Sequence, residues 1–177
     1  ARLALQSLID QLGSDRLGLL VFAGQAYVQL PLTLDHGAAK LFLQSISTES
    51  VPTPGTALAD AIRLGMDSFG PEKDRPRALV LITDGEDHEG QAVEAAQAAA
   101  EEGIVVHAIG LGRPSGTPIP TYGPGGEQDF IRDEQGKVVM TKLDETTLQQ
   151  VAAAGGGVYV RGSGADLGLA AIMDELR

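Results

Sequence analysis

The run Ala78-Leu79-Val80-Leu81-Ile82 constrains this chain more than any other feature: it is apolar without a polar break and closes on Thr83-Asp84-Gly85. A strand with one wet face alternates apolar and polar residues. An unbroken run bounded by loops reads instead as a strand covered on both faces, as in a parallel sheet held between helices. A second such run, Ile104–Ile109 (IVVHAI), follows an alanine-rich helical stretch at 91–102 that Gly103 closes. Strand, helix and strand in that order predict an α/β fold: an open, doubly wound, mostly parallel sheet with helices on both faces.

The flanking sequence fits that frame. Leu5, Leu8, Ile9 and Leu12 fall at helical spacing, and Gly13 ends the run. Leu17–Phe22 and Tyr27–Leu32, separated by Ala23-Gly24-Gln25-Ala26, read as a β-hairpin. Asp35 can cap a short helix carrying Leu41, Phe42 and Ile46, and Ser47–Gly55 is a loop. From Thr56 the spacing of Leu58, Ala61, Ile62, Gly65, Met66 and Phe69 is helical. Residues 112–136 break the rhythm with glycines and prolines and read as a long excursion, ending in a short edge strand or hairpin at Lys137–Thr141. Asp144 then caps a helix stapled by Leu143 and Leu148; a short strand at Val158–Val160 and a helix at 166–176 close the chain. There is no internal repeat and no linker, so 1–177 reads as a single domain. The first helix has no cap before it, which favours a domain excised from a longer protein.

Composition removes several function classes. The net charge of −11 disfavours nucleic acid and anionic lipid as partners, since both would be repelled at long range. Without cysteine there is no disulfide framework, thiolate nucleophile, zinc–cysteine site or iron–sulfur ligation. The best apolar stretch, Leu17–Gly24, falls far short of the roughly 20 residues a spanning helix needs, so this segment does not insert in a membrane. Phosphate-loop, dinucleotide, calcium-loop and serine-elbow patterns all fail: Gly110-Leu111-Gly112-Arg113-Pro114-Ser115, for one, precedes no helix. His107, inside an apolar strand, reads as a hydrogen-bonded core residue.

Two short segments carry candidate chemistry. Asp84 stands where a buried strand runs out, and ligands of open α/β sheets gather at those carboxyl ends. Taken alone, it reads first as the cap of an Asp-Gly turn. Thr56, in Pro54-Gly55-Thr56-Ala57-Leu58, reads by itself as a helix N-cap. Together, a hydroxyl and a carboxylate at one sheet edge suit a hard cation such as Mg²⁺, which prefers oxygen ligands and keeps several waters. Asp84, Asp87 and His88 could alternatively hold an activating cation for a metal-assisted hydrolase, although a solvated acidic turn is the plainer reading of Asp87 and His88.

The ordered set DRLGLLVFAGQAYVQLPLT, GTALADAI, LVLITDGEDHEG and GIVVHAIGLG resembles the von Willebrand factor A (vWA) family, a Rossmann-like fold, over essentially the whole chain. GLGRPSGTPIPTYGPGG and the stretch DEQGKVVMTKLDETTLQQVAAAGGGVYV are most similar to the membrane-anchored bacterial proteins of aerotolerance (Bat) operons. The resemblance implies that Thr56 and Asp84 match the threonine and second aspartate of a metal-ion-dependent adhesion site binding Mg²⁺ or Mn²⁺. There the threonine ligates the metal and this aspartate holds it through water. It implies a non-enzymatic module that binds an acidic residue of a protein partner through the cation; a purely structural vWA domain that has lost metal binding is the further alternative. The sequence itself offers no nucleophile–base pair. It further implies other vWA or Bat-type proteins and a MoxR-type AAA+ ATPase system as partners. The parent would be tethered to the bacterial cell membrane by flanking helices, its soluble domain on a side the sequence leaves open, the periplasm being one.

One departure matters. The family's Asp-x-Ser-x-Ser segment, at the end of its first strand, has no match between Ala1 and Gln11. The resemblance therefore implies that the first central strand lies upstream, between the strands at 17–22 and 78–83 in the family's 3-2-1-4-5-6 order. Metal binding by this chain alone should be weak or absent.

Overall fold

The computed structural model describes residues 2–46, 57–71, 74–87, 90–122, 126–162 and 168–176. Helix α1 (Arg2–Gln11) leads into a hairpin of β1 (Leu17–Phe22) and β2 (Ala26–Thr33), followed by α2 (His36–Ser45) and α3 (Leu58–Ser68). Then come β3 (Arg77–Thr83), α4 (Ala92–Glu101) and β4 (Ile104–Gly110). The excursion holds four short strands, β5 (Thr117–Pro118), β6 (Pro120–Tyr122), β7 (Gln128–Phe130) and β8 (Met140–Thr141). Helix α5 (Glu145–Ala154), β9 (Gly156–Arg161) and α6 (Leu169–Glu175) complete the order.

The unbroken apolar runs are the parallel strands. β3 pairs with β4 from Arg77–Ile104 to Thr83–Gly110, and β4 pairs with β9 on its other edge. Leu79 and Leu81 point to one face, where the alanines of α4 allow close approach and Leu58, Ile62, Leu148 and Val151 complete the core. Val80 and Ile82 point to the other, against Leu5 and Leu8 of α1 and Ile172 of α6. Helices therefore cover both faces, as the composition of the strands requires. His107 is buried within β4 at 2% exposure, its Nδ1 accepting from the Val158 N–H at 3.2 Å.

The expected caps are in place: Asp35 accepts from Ala38 N at 2.9 Å and Asp144 from Thr147 N at 3.1 Å, with Leu143 and Leu148 both buried. The helix expected from Thr56 begins at Leu58 with Ala57 as N-cap and no side-chain cap bond. Thr56, the loop 47–55 and His88 lie outside the described residues.

The hairpin and the parallel sheet stay separate. β1 pairs antiparallel with β2, and among the described residues neither β1 nor β3 has a partner on its other edge. A cavity of about 700 Å³ lies at the strand starts on the face that α1 and α6 cover, lined by Leu12, Leu17, Val80, Val105, His107 and Met173 among others. β1 and β3 do not pair with one another, so among the described residues both edges that the resemblance assigns to a central strand are unpaired.

Candidate functional site

Four strand starts identify the two ends of the sheet. Leu17, Ala78, Val105 and Gly156, at the beginnings of β1, β3, β4 and β9, line the same cavity. Their carboxyl ends therefore share the opposite edge. Just past the end of β1, the Ala23 carbonyl accepts from Ala57 N at 2.7 Å, so α3 also starts at that edge. The residue after Thr56 is thus placed at the edge where Asp84 leaves β3.

Asp84 is half-buried and held through its backbone. Thr83 Oγ1 accepts from Gly85 N at 3.2 Å, and the Asp84 carbonyl accepts from Asp144 N at 2.9 Å. Gly85 turns the chain at φ +80°, and a Cβ there would lie 2.7 Å from the Asp144 carbonyl oxygen and 2.8 Å from Leu148 Cγ. Only glycine meets both conditions. One Asp84 carboxylate oxygen takes a long contact from Glu86 N, 3.4 Å, which closes an Asx-type turn. Its second oxygen accepts no hydrogen bond among the described residues. The cap reading and the ligand reading are compatible, because a carboxylate can do both with different oxygens.

A second set of residues at this edge was not legible in the sequence. Glu145, in the first turn of α5, accepts from Tyr159 Oη at 2.7 Å and Arg161 Nε at 2.8 Å, and Arg161 closes a second bond with its guanidinium. Those donors, led by Arg161, hold the Glu145 carboxyl below its ordinary value, and Arg161 is shifted up in return. Tyr159 is pushed up to about 12 by burial and by its bond to Glu145. The only sequence signal was an acid following a helix cap; its partners come from a strand on the far side of that helix.

The donor chemistry fits a hard divalent cation, and the donor count does not complete one. Asp84 presents a hard oxygen at a strand end, but among the described residues no group of three or more His, Asp or Glu could hold a metal. Asp87 is half-buried, and His88, the third member of the alternative trio with Asp84 and Asp87, lies outside the described residues. Any cation at this edge needs further oxygen ligands beyond Asp84.

The sequence profile of the von Willebrand factor type A domain matches residues 1–153. Among solved structures the chain is similar to BatB, a conserved hypothetical protein from Bacteroides thetaiotaomicron, at 45% identity and TM-score 0.93, covering 99% of this chain and 84% of that one. It is also similar to an aerotolerance-related membrane protein from Bacteroides fragilis, solved with multiple mutations to serines: 42% identity, TM-score 0.92, covering 99% of this chain and 85% of that one. A UPF0353 protein from Mycolicibacterium paratuberculosis is 28% identical over 151 residues, 76% of this chain, and this chain spans 39% of that relative's length. The chain belongs to the von Willebrand factor type A family.

Proposed function

We propose that this chain is the body of a non-enzymatic interaction module. It docks an acidic residue of a protein partner on a divalent cation, Mg²⁺ or Mn²⁺, held at the carboxyl edge of the sheet. Asp84 holds the cation through its water shell and Thr56 ligates it. The remaining oxygen ligands come from a strand upstream of Ala1, which enters between β1 and β3 and ends at the same edge. The observation that carries this reading is the pairing pattern: among the described residues β3, the strand that delivers Asp84, is paired with β4 on one edge and with no strand on the other. A strand laid there would end beside Asp84. When bound, the cation supplies an open coordination position for a carboxylate, and the contact is charge-assisted.

The likeness to an aerotolerance-related membrane protein supports a membrane-anchored parent, with flanking segments carrying the anchor. Among the described residues no helix is long and apolar enough to cross a membrane. Other vWA or Bat-type chains and a MoxR-type AAA+ ATPase system are the partners we assign to such an assembly.

The test is calorimetric titration of Mg²⁺ and Mn²⁺ into this chain and into a form extended upstream by one strand and its turn. Weak or absent binding by the first and saturable binding by the second are expected, with the second lost on Asp84→Ala. Equal, tight binding by both would place the site elsewhere.

A further inference from the structure

The excursion at 112–142 is an arm rooted beside the Asp84 loop. Within it, β5 pairs with β8 and β6 with β7, and Ile119, Ile131 and Val139 are linked in turn by backbone bonds of 2.8 to 3.2 Å. Its two feet are clipped together, Leu143 N donating to the Arg113 carbonyl at 3.2 Å. The acid loop is bracketed by the same feet. Thr83 O accepts from Leu111 N at 2.7 Å on one side, and Asp84 O accepts from Asp144 N at 2.9 Å on the other. Both bonds are backbone to backbone and would form with many sequences. The third is not: Glu86 Oε1 accepts from Lys142 N at 3.1 Å, across 56 residues of sequence.

We infer that Glu86 is a positioning residue whose carboxylate ties the foot of the 112–142 arm to the Asp84 loop, so that arm and loop move as one. One of its oxygens is engaged by the Lys142 N–H, a charge-assisted bond worth more than a neutral one. Glu86 therefore works as an anchor for the arm. A partner that grips the arm would then shift the loop that carries Asp84. By linkage, a cation held at Asp84 would in turn order the arm. That last consequence rests on the cation reading above; the tether itself does not.

Amide hydrogen exchange and limited proteolysis test it on Glu86→Ala and Glu86→Gln, the latter keeping an acceptor oxygen and losing the charge. In Glu86→Ala, exchange over residues 140–144 and cleavage within the arm should accelerate on the order of tenfold, the scale of losing one hydrogen bond to a charged acceptor. Exchange over β4 should not change. Glu86→Gln, with a neutral acceptor, should fall between the parent chain and Glu86→Ala. If Glu86→Ala loosens β4 as well, Glu86→Asp, one methylene short, is the milder break and should loosen the arm alone. An arm as protected in Glu86→Ala as in the parent chain, or Glu86→Gln as loose as Glu86→Ala, overturns the tether. In the upstream-extended form, Mn²⁺ should slow exchange over 140–144 in the parent and Glu86→Gln but not in Glu86→Ala. An equal cation response in all three overturns the coupling. No response in any, with the tether intact, sinks the cation reading instead.

Discussion

β1 and β4 are made of similar residues and end in different states. LGLLVF of β1 is half-buried at every position, whereas IVVHAIG of β4 is buried at all but Val105. The difference lies in their neighbours. β4 is paired on both edges and covered on both faces by helices, while β1, among the described residues, is paired on one edge only. Hydrophobicity makes a strand fit to be buried; strands on either side of it make it so. Among the described residues, β4 has both edges paired on one side of this molecule, and on the other β1 and β3 each leave one edge unpaired.

The sharpest way to break that comparison is to remove equivalent apolar bulk from each side. Ile104→Ala, fully buried at the start of β4, should cost about 2–5 kcal/mol. Leu19→Ala, half-buried in β1, should cost about 1 kcal/mol. Urea denaturation gives both, and a larger loss at Leu19 would mean that β1 is already a core strand.

Glycines of like conformation sharpen it at the site. Gly85 (φ +80°) is crowded by Asp144 and Leu148, while Gly136 (φ +78°), in the arm, meets nothing within 4 Å. Gly85→Ala combines backbone strain of about 1–3 kcal/mol with a steric clash. Gly136→Ala carries the left-handed penalty alone, about 1–2 kcal/mol. Thermal unfolding should rank them in that order; equal shifts would show that the Gly85 turn yields without disturbing Asp144.

The helix caps should show no difference between the sides. Asp35→Ala and Asp144→Ala each remove one carboxylate from a helix N-terminus and should each cost about 1 kcal/mol. A much larger loss at Asp144 would mean that it supports the Asp84 loop beyond its capping role.

The smallest effect is that of pH at β4. Burial lowers the pKa of His107 from its ordinary 6.5, with the Glu175 carboxylate opposing that shift in part. A histidine whose folded pKa lies below its unfolded one stabilises the fold fully above pH 6.5, and that contribution is lost as pH falls below it. Urea midpoints measured from pH 7 downward should fall less steeply in His107→Gln than in the parent chain. Parallel slopes would show that His107 does not carry the dependence.

What the sequence determined by itself was much of what depends on neighbours along the chain, the start of α3 at Leu58 rather than Thr56 excepted. Unbroken apolar runs at Ala78–Ile82 and Ile104–Ile109 meant strands covered on both faces, because only such an environment accepts them. Asp35 and Asp144 were legible as caps, since a cap acts within one helical turn. Asp84 and Gly85 were legible as an acid on a sharp turn at a strand end. The tertiary structure alone decided which groups meet across long separations. Glu145 finds Tyr159 and Arg161, and Glu86 finds the Lys142 N–H, because α5, β9 and the arm's feet converge on one edge. Nothing in local spacing encodes a contact 56 residues away. The half-buried state of β1 was likewise beyond the sequence. Its residues suit a central strand, but burial is a property of the sheet around it, and β1 has a described partner on one edge only.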